Sequence, residues 1–352
     1  MPELLSAHTS LRLGGAARRW VRATTDDELV AAVGDADAAG EPVLVLGGGS
    51  NLVVADEGFA GTVVEVATRG ISADVDDSGD PSCSGATVTV AAGESWDDLV
   101  ATAVERGWIG VEALSGIPGS VGATPIQNVG AYGQDVSQTI ARVRVWDRVL
   151  RGVRTFAAAE CHFGYRTSRF KADPGRHVVL DVTFQLRQGA LGAPIAYAEL
   201  ARTLGVTEGG RAPLGEVREA VLGLRRGKGM VLDADADDHD TWSAGSFFTN
   251  PFLTPEQAAA LPDDAPRWGQ ADGTVKSSAA WLIEHAGFGK GYTSAAAGER
   301  VGLSTKHALA LTNRGGATTA ELLTLAREIR DGVEAAFGVR LVNEPVTLGC
   351  TL

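Results

Sequence analysis

The sequence predicts an α+β protein, and three observations support that fold class. Stretches with helical spacing of apolar residues alternate with short strand-like runs, and neither kind dominates the chain. Two glycine-rich runs, at residues 46–51 and 114–133, lack the glycine spacing of a Rossmann fold or a P-loop. The 352 residues, 44% of them hydrophobic, are enough for two or three domains with buried cores.

Charge and cysteine content restrict the partners and the compartment. A formal net charge of -13 argues against nucleic acid or an anionic membrane as the main partner, so an anionic ligand needs locally placed basic groups. Cys83, Cys161 and Cys350 lie far apart, which favours a reducing compartment without disulfides or a metal cluster. Because no leader or membrane-length apolar run is visible, we expect a cytoplasmic protein, and its acidic surface favours a monomer.

The N-terminal half supplies most of the strands. The sequence predicts a helix from Thr25-Asp26 onward, and a second helix over residues 95–105. A polar stretch at residues 74–85 resembles an exposed hairpin insert. Together these elements predict one domain up to about Arg187. The predicted strands cover residues 43–46, 62–66, 87–92, 143–146, 153–156 and 180–186.

The run at residues 114–133 is the feature around which the sequence is organised. It contains five glycines and no charged side chain, so it is poorly suited to regular structure. Glycines allow a close backbone approach, and the intervening N–H groups can converge on an anion such as a diphosphate. An ordinary glycine-rich loop is the alternative, but the second run at residues 47–51 favours a diphosphate cradle. Leu52 excludes the dinucleotide fingerprint there, and Gly289-Lys290-Gly291 fails as a Walker A loop.

The C-terminal half predicts a smaller α+β domain. A linker with Tyr197 precedes a helix at residues 213–225, and further helices begin at Pro255, near Ser278 and after Thr318. Strands are expected within residues 339–348. The stretch Asp233–Asp240 resembles a calcium loop at some positions but lacks its glycine and its glutamate, which predicts a solvated acidic loop. The histidines show no metal-ligand spacing, and no G-x-S-x-G elbow occurs.

Three polar positions stand out as candidate chemistry. Arg166, in FGYR, could clamp a carboxylate, although a surface arginine is the simpler interpretation. Ser246, in AGSFFTNP, could donate a proton beside bulky apolar groups, or it could be a hydrogen-bonded core serine. Glu344 follows apolar residues, which suggests a partner or a raised pKa; a solvent-facing position is equally compatible.

Five ordered motifs, taken together, resemble one enzyme family. They are LGGGSN (46–51), SGIPGSVGATPIQNVGAYG (115–133), FGYR (163–166), AGSFFTNP (244–251) and QADGTVKSSAAWLIE (270–284). The combination is similar to the UDP-N-acetylenolpyruvoylglucosamine reductase family of bacterial peptidoglycan synthesis, collinear over nearly the whole chain. The resemblance implies an FAD-binding domain of the vanillyl-alcohol-oxidase (PCMH) type at residues 1–190, with lobes at about 1–68 and 69–190. A tyrosine-bearing linker at residues 191–210 and a substrate-binding α+β domain at residues 211–352 would follow.

The resemblance also implies cofactors and residue roles. FAD would be held noncovalently, because neither glycine run contains a histidine, and NADPH would be the reductant. Ser246 would donate the proton, with Arg166 and Glu344 as its catalytic companions. The implied substrate contacts are Tyr132, Tyr197, Lys228, Asn250, Trp268 and Lys290. The implied FAD contacts are Gly47, Gly48, Gly49, Ser50, Asn51, Gly116, Ile117, Pro118, Gly119, Ser120, Gly122, Ala123, Asn128 and Gly130.

The implied reaction is the reduction of the enolpyruvyl group of a UDP-sugar to a lactate ether. Trp268 departs from the family, since a tyrosine contact is expected there in some relatives, and Val342-Asn343 replace an additional glutamate that is common before Glu344. Two alternatives stay open. One is another FAD-dependent oxidoreductase of the same fold that acts on a small alcohol or sugar, and the other is a non-catalytic nucleotide-sugar binding protein.

Overall fold

The computed structural model describes residues 2–76, 85–232 and 237–352, and these residues form two compact units. Residues 18–48 and 60–226 form what we call the central unit. Residues 2–17, 49–59 and 227–352 form the terminal unit. Each unit is therefore built from separate stretches of the chain.

The central unit begins with a small sheet covered by one helix. The strands run in the order Ala17–Ala23, Phe59–Val66 and Val43–Leu46, and the last two are parallel. The helix Asp26–Ala38 begins where the sequence predicts, and the Thr25 side chain caps it by accepting a hydrogen bond from the Glu28 N–H. Its buried Leu29 and Val33 pack with Val64 of the sheet.

A larger antiparallel sheet forms the rest of the central unit's β-structure. The strand His177–Gln188 alternates in burial near its C-terminal end, and Phe184 packs against Trp96 of the helix Trp96–Glu105. That helix is capped by Ser95. The strands run in the order Gly152–Ala157, Ile140–Asp147, His177–Gln188, Gly85–Ala91 and Ile71–Val75, with Trp108–Ile109 paired to His177–Gln188.

A third cluster of the central unit contains the tyrosine-bearing segment. The helix Ala198–Leu204 lies within the predicted linker, and the helix Leu214–Gly227 buries Val217 and Val221 against Leu200. Two short helical elements, Val121–Ala123 and Thr124–Gln127, lie within the glycine-rich run at residues 114–133, where the sequence predicts irregular backbone. Glu112–Leu114 and Val136–Gln138 flank the run, Gly130–Ala131 pairs with Gln134–Asp135, and Arg169–Ala172 follows later.

The terminal unit surrounds the long helix Thr319–Phe337. Thr318 and Glu321 form a capping box at its start, and Gly338 ends it in a left-handed conformation. The strand Val346–Leu348 pairs in parallel with Leu52–Val54, which brings the chain's end beside an early segment. The remaining elements are the helices Pro255–Ala260 and Ala279–His285, the sheet Phe252–Leu253, Val275–Ser277 and Arg267–Gly269, and the hairpin Val301–Leu303 with Leu311–Asn313.

The compact units differ from the predicted domain ranges, for two physical reasons. Residues 49–59 join the terminal unit because Leu52–Val54 pairs with Val346–Leu348. The helix Leu214–Gly227 joins the central unit because its apolar side chains complete the core around Ile195 and Leu200. Sequence order alone shows neither contact.

The structure also bears on the predicted strands within residues 339–348, on the predicted insert at residues 74–85, and on the cysteines. Within residues 339–348, which were expected to form strands, only Val346–Leu348 is a strand, while Asn343 makes an isolated bridge to Phe248. Ile71–Val75 and Gly85–Ala91 pair as the arms of a hairpin, but residues 77–84 of the expected insert, including Cys83, lie outside the described residues. Burial of Cys161 raises the pKa of its thiol to about 11, which fits a structural role.

Candidate functional site

The two glycine runs meet in the central unit at Gly47, Gly48, Gly119 and Ser120. A Cβ added to Gly47 would lie 2.4 Å from the Ser120 hydroxyl oxygen, and one added to Gly48 would lie 2.6 Å from the Gly119 Cα. Gly119 has a φ of +125°, which a residue with a side chain rarely adopts. A side chain at Gly48 would therefore require the backbone to move, whereas one at Gly47 would require the Ser120 side chain to move.

The backbone amides of the 116–123 segment fall into two groups. The amides of Val121 and Gly122 donate to the carbonyls of Glu94 and Ala92, both at 2.8 Å, so they hold the segment against the larger sheet. The amides of Ile117, Gly119 and Ser120 make no hydrogen bond to the described part of the chain. These three donors, in an uncharged segment between glycines, fit the diphosphate of a dinucleotide cofactor.

Asp97 anchors the start of this segment, a role that sequence reasoning missed. Its carboxylate accepts a hydrogen bond from the Gly116 amide and two from the Arg218 guanidinium, at 2.7 and 2.8 Å. Burial alone would raise the pKa of Asp97, but the Arg218 and Gly116 hydrogen bonds outweigh it and lower the pKa. In the sequence, Asp97 resembles any acid in the first turn of a helix, so nothing marked it as an anchor.

The end of the glycine-rich run supports Arg166. The Arg166 guanidinium donates to the carbonyl of Gly130 at 2.7 Å and to that of Asn128 at 3.4 Å. The Asn128 side chain donates to the Gly164 carbonyl and accepts from the Ser137 amide. Predicted cofactor residues Asn128 and Gly130 therefore lie beside predicted catalytic Arg166, and their contacts orient its guanidinium.

Tyr132 and Tyr197, predicted to contact substrate, lie together in the central unit. Their ring centroids are 5.4 Å apart, and the rings are perpendicular. Tyr132 has a φ of +50°, and Gly133 follows it with a φ of +83°. A Cβ on Gly133 would lie 3.1 Å from Ala196 Cβ, so the glycine lets the two tyrosine segments approach.

Ser246 and Glu344 lie on neighbouring backbone segments of the terminal unit. The Glu344 amide donates to the carbonyl of Phe247 at 2.8 Å, and Phe247 is the residue directly after Ser246. Ser246 is half-buried beside two fully buried phenylalanines, and its hydroxyl makes no hydrogen bond to the described residues. The arrangement leaves a hydroxyl proton available next to a carboxyl-bearing backbone segment.

Asn51, from the early part of the chain, forms hydrogen bonds to the segment that carries Glu344. Its carbonyl accepts from the Val346 amide at 2.9 Å, and its side chain reaches the Glu344 carbonyl at 3.5 Å. Gly49 and Ser50 belong to the same unit, while Gly47 and Gly48 belong to the central unit. The division of the chain into units therefore falls after Gly48, within the predicted cofactor run 47–51.

The other predicted substrate residues also lie in the terminal unit. Asn250 accepts a hydrogen bond from the Ala279 amide at the start of the helix Ala279–His285. Trp268 is 50% exposed, on a strand of the three-stranded sheet. Lys228 and Lys290 each precede a glycine with positive φ, Gly229 and Gly291. Both lysines therefore sit at turns.

Asp238 and Asp240 are more than a solvated acidic loop. Asp238 pairs with the ammonium of Lys306, and Asp240 accepts two hydrogen bonds from Thr305. Residues 233–236 of the same stretch lie outside the described residues. No group of three or more metal-ligating side chains occurs within residues 2–76, 85–232 and 237–352.

Comparison with known proteins decides the family. Residues 17–150 match the model described as an FAD binding domain, and residues 237–348 match the C-terminal domain of UDP-N-acetylenolpyruvoylglucosamine reductase. A protein of that name from Cutibacterium acnes is 59% identical over 99% of this chain and 90% of its own. The chain belongs to the UDP-N-acetylenolpyruvoylglucosamine reductase (MurB) family.

Further relatives support this membership. The reductase of Thermobifida fusca is 56% identical over 99% of this chain and 97% of its own. The crystal structure of the MurB reductase from Thermus caldophilus covers 99% of this chain and 98% of its own, with a TM-score of 0.65 and 24% identity, which supports the fold. The predicted fold class, a PCMH-type FAD-binding domain with a C-terminal α+β domain, is confirmed. None of the described helices has the length and apolar character needed to cross a membrane.

Proposed function

We propose that Ser246, Arg166 and Glu344 carry out the reaction of the MurB family in this chain. The chain is an FAD-dependent oxidoreductase, and it reduces UDP-N-acetylglucosamine enolpyruvate to UDP-N-acetylmuramate with NADPH in peptidoglycan synthesis. One structural observation supports the residue assignment more than any other. The Ser246 hydroxyl makes no hydrogen bond to the described residues, and it lies next to the segment that carries Glu344.

FAD fits the glycine segments of the central unit. Side chains at Gly47 and Gly48 would collide with the second glycine run, Gly119 has a positive φ, and the amides of Ile117, Gly119 and Ser120 are available to the diphosphate of FAD. Gly116, Pro118, Gly122 and Ala123 would shape the same cradle. We also assign Gly49, Ser50 and Asn51, which continue the first glycine run, to FAD binding. When bound, FAD supplies the reducing equivalents that NADPH delivers.

The proposed proton transfer follows from the chemistry of the substrate. Reduction at the terminal vinyl carbon moves negative charge onto the adjacent carbon and the carboxylate. Arg166 would hold that carboxylate through its guanidinium, which the carbonyls of Asn128 and Gly130 orient. Glu344 would stabilise the same charge by hydrogen bonding. Ser246 would protonate the adjacent carbon; a serine is a weak acid, so this role requires the strongly basic intermediate that the reaction supplies.

The nucleotide part of the substrate would be held by residues with complementary groups. Lys228 and Lys290 would meet the diphosphate, which the net charge of -13 would otherwise repel. Tyr132 and Tyr197 form an edge-to-face pair that would cover the substrate. Asn250 and Trp268 complete the proposed set of contacts.

We also propose a role for each predicted domain, a cellular compartment and an oligomeric state. Residues 1–190 would bind FAD, residues 191–210 would carry the closing tyrosine, and residues 211–352 would bind substrate. The protein would work as a cytoplasmic monomer without nucleic acid or membrane partners, in keeping with its acidic composition. Light scattering of the purified protein tests the monomer directly.

Product analysis in heavy water tests the proposed roles. With NADPH and the enolpyruvyl UDP-sugar, the product should be the lactyl ether with deuterium on the carbon next to the carboxylate, because the Ser246 proton exchanges with solvent. Ser246→Ala should slow formation of that product while leaving bound FAD at the wild-type level. Product without deuterium at that carbon would exclude an exchangeable hydroxyl as the proton source.

A further inference from the structure

We propose that Asp240 and Thr305 form a clamp that holds the two turns carrying Lys228 and Lys290 at a fixed separation. The role rests on the proposed function, since it assigns the clamp to binding of the substrate's diphosphate by those two lysines. All the residues involved lie in the terminal unit. We name Asp240 and Thr305 positioning residues, because they act through the lysines.

The clamp itself consists of one carboxylate and one threonine. One oxygen of Asp240 accepts the Thr305 amide hydrogen at 2.8 Å, and the other accepts the Thr305 hydroxyl hydrogen. Thr305, which is 65 positions away in the chain, therefore binds both oxygens of the carboxylate, and the Ser304 side chain adds a further hydrogen bond. Next to it, Asp238 pairs with Lys306, so two successive residues of the 305–306 turn contact the 238–240 turn. Paired contacts of this kind restrict both translation and rotation of one turn against the other.

The Lys228 turn packs directly on Asp240. Gly229 follows Lys228 and has a φ of +66°. A Cβ added to Gly229 would lie 2.9 Å from the Asp240 carbonyl oxygen and 3.0 Å from the Asp240 Cβ. Because no side chain separates the two backbones, the position of Asp240 fixes the position of the Lys228 turn.

The Lys290 turn is attached to the other half of the clamp. Gly291 follows Lys290, and its amide donates to the Ser304 carbonyl at 3.1 Å. The Leu303 amide donates to the Tyr292 carbonyl at 2.9 Å, so the turn is held on both sides of Gly291. Thr305 comes directly after Ser304. The clamp therefore joins the Lys290 turn, which is held by hydrogen bonds, to the Lys228 turn, which is held by the close backbone contact of Gly229 with Asp240.

The buried Ser304 makes the Thr305 side of the clamp rigid. Its side chain is fully buried, and its hydroxyl accepts the amides of Lys306 and His307 at 3.0 and 3.2 Å. Burial alone would raise the pKa of Asp240, but the hydrogen bonds from Thr305 and Ser304, together with the nearby charge of Lys306, outweigh burial and lower the pKa, which favours the ionised carboxylate. A charged acceptor strengthens both bonds to Thr305.

Fixed turns matter here because lysine side chains are long and flexible. When a diphosphate binds two such side chains, their ordering costs conformational entropy and lowers the affinity. Fixing the backbone of both turns reduces this cost. Loosening the clamp should therefore weaken binding of every diphosphate ligand of this site while leaving the chemistry of a bound substrate unchanged. The expected signature is a raised KM with an unchanged kcat.

Thr305→Val tests the clamp with a side chain of nearly the same shape. We expect KM for the enolpyruvyl UDP-sugar to rise about tenfold, the effect of losing one hydrogen bond to a charged group, with kcat within about twofold. Thr305→Ser keeps the hydroxyl and should restore the wild-type KM. Thr24→Val is the matched control, because Thr24 makes the same hydroxyl-to-carboxylate bond to Glu28 on an exposed surface of the central unit. Asp240→Ala should weaken binding further than Thr305→Val.

Calorimetric titration with UDP measures the effect of the clamp on ligand affinity in the absence of turnover. The holoenzyme should bind UDP about tenfold more weakly in Thr305→Val, while uridine, which has no phosphate, should bind both proteins equally. Equal UDP affinity in the two folded proteins, or failure of Thr305→Ser to restore it, would overturn the clamp. If Lys228→Ala and Lys290→Ala leave UDP affinity unchanged, the lysine assignment fails, and with it the route by which the clamp acts. A wild-type protein that binds UDP but forms no product would contradict the proposed function and leave the clamp standing.

Discussion

The candidate site of the central unit is formed mainly by backbone atoms, whereas that of the terminal unit is formed by side chains. In the central unit, the site around Gly48 and Gly119 consists of backbone, with approaches too close for any side chain. In the terminal unit, the site consists of side chains on turns, including Ser246, Glu344 and the two lysines. A backbone site depends on shape, so one added methyl group should prevent binding. A side-chain site depends on chemistry, so one removed group should cost rate or affinity and leave the fold intact.

The largest expected effect is at the backbone site. Gly48→Ala places a methyl group about 2.6 Å from Gly119 Cα, so the two glycine runs must separate. We expect FAD occupancy to fall below about one tenth of the wild-type level, because neither backbone can move without disturbing the amides around it. The ratio of flavin absorbance to protein absorbance measures occupancy.

Gly223→Ala is the control for that change. Gly223 is an exposed position of the helix Leu214–Gly227, and nothing lies within 4 Å of an added Cβ. This substitution should keep full FAD and raise stability by about 0.5–1 kcal/mol. If Gly48→Ala keeps FAD as well as Gly223→Ala does, the backbone site has been placed incorrectly.

Ser246→Ala tests the side-chain site and should leave the backbone site untouched. We expect normal FAD content and normal flavin bleaching by NADPH, but recovery on adding the enolpyruvyl UDP-sugar should slow about a hundredfold or more. Rapid mixing with absorbance detection separates the two steps. Equal slowing of both steps would show that Ser246 supports the structure instead of donating the proton.

Asp97→Asn weakens the anchor beneath the glycine-rich segment. The Gly116 amide and the Arg218 fork lose a charged acceptor, and we expect FAD to bind about tenfold more weakly. In the wild type, the lowered pKa of Asp97 means that its contribution is complete above the carboxyl's ordinary pKa near 4 and is lost as pH falls through the lower folded value. Fluorescence titration with FAD measures the affinity. Wild-type affinity in Asp97→Asn would show that Gly116 needs no anchor.

Substitution of Asp147, which lies away from both sites, should have the smallest effect. It serves as a reference for how stability depends on pH in acid. Hydrogen bonds from Arg176 lower the pKa of this buried carboxyl to about 2, against burial, which would raise it. Its stabilising contribution is therefore complete above about pH 4 and lost as pH falls toward 2. Asp147→Asn should lower the thermal midpoint by a few degrees at pH 7. The gap from wild type should narrow below pH 4, with FAD affinity unchanged; a constant gap at all pH values would contradict the assignment.

Local sequence signals predicted local structure well. The helix starts predicted near Thr25, Ser95, Thr254 and Thr318 are all present in the structure, and the predicted caps at Thr254 and Thr318 form, because a cap depends only on residues within one turn. Glycine spacing likewise located the segments that approach each other closely. The likeness over nearly the whole chain then supplied the family, and relatives of that family confirm it.

Long-range contacts were beyond the reach of sequence patterns. Asp97 and Arg218 are 121 positions apart, and each resembles an ordinary exposed helix residue in the sequence. Asp240 was set aside with an acidic loop, because its partner Thr305 carries no distinguishing pattern. The parallel pairing of Leu52–Val54 with Val346–Leu348 also joins distant segments, and the units consequently do not follow the linear domain ranges.

The most direct test of the account is a two-step anaerobic experiment on the wild-type protein. NADPH should bleach the flavin's visible absorption, and subsequent addition of the enolpyruvyl UDP-sugar should restore it without oxygen. That result would establish both half-reactions in one cuvette. A colourless protein that takes up no FAD would contradict the backbone site, and a bleached protein that recovers only with oxygen would contradict the proposed reaction.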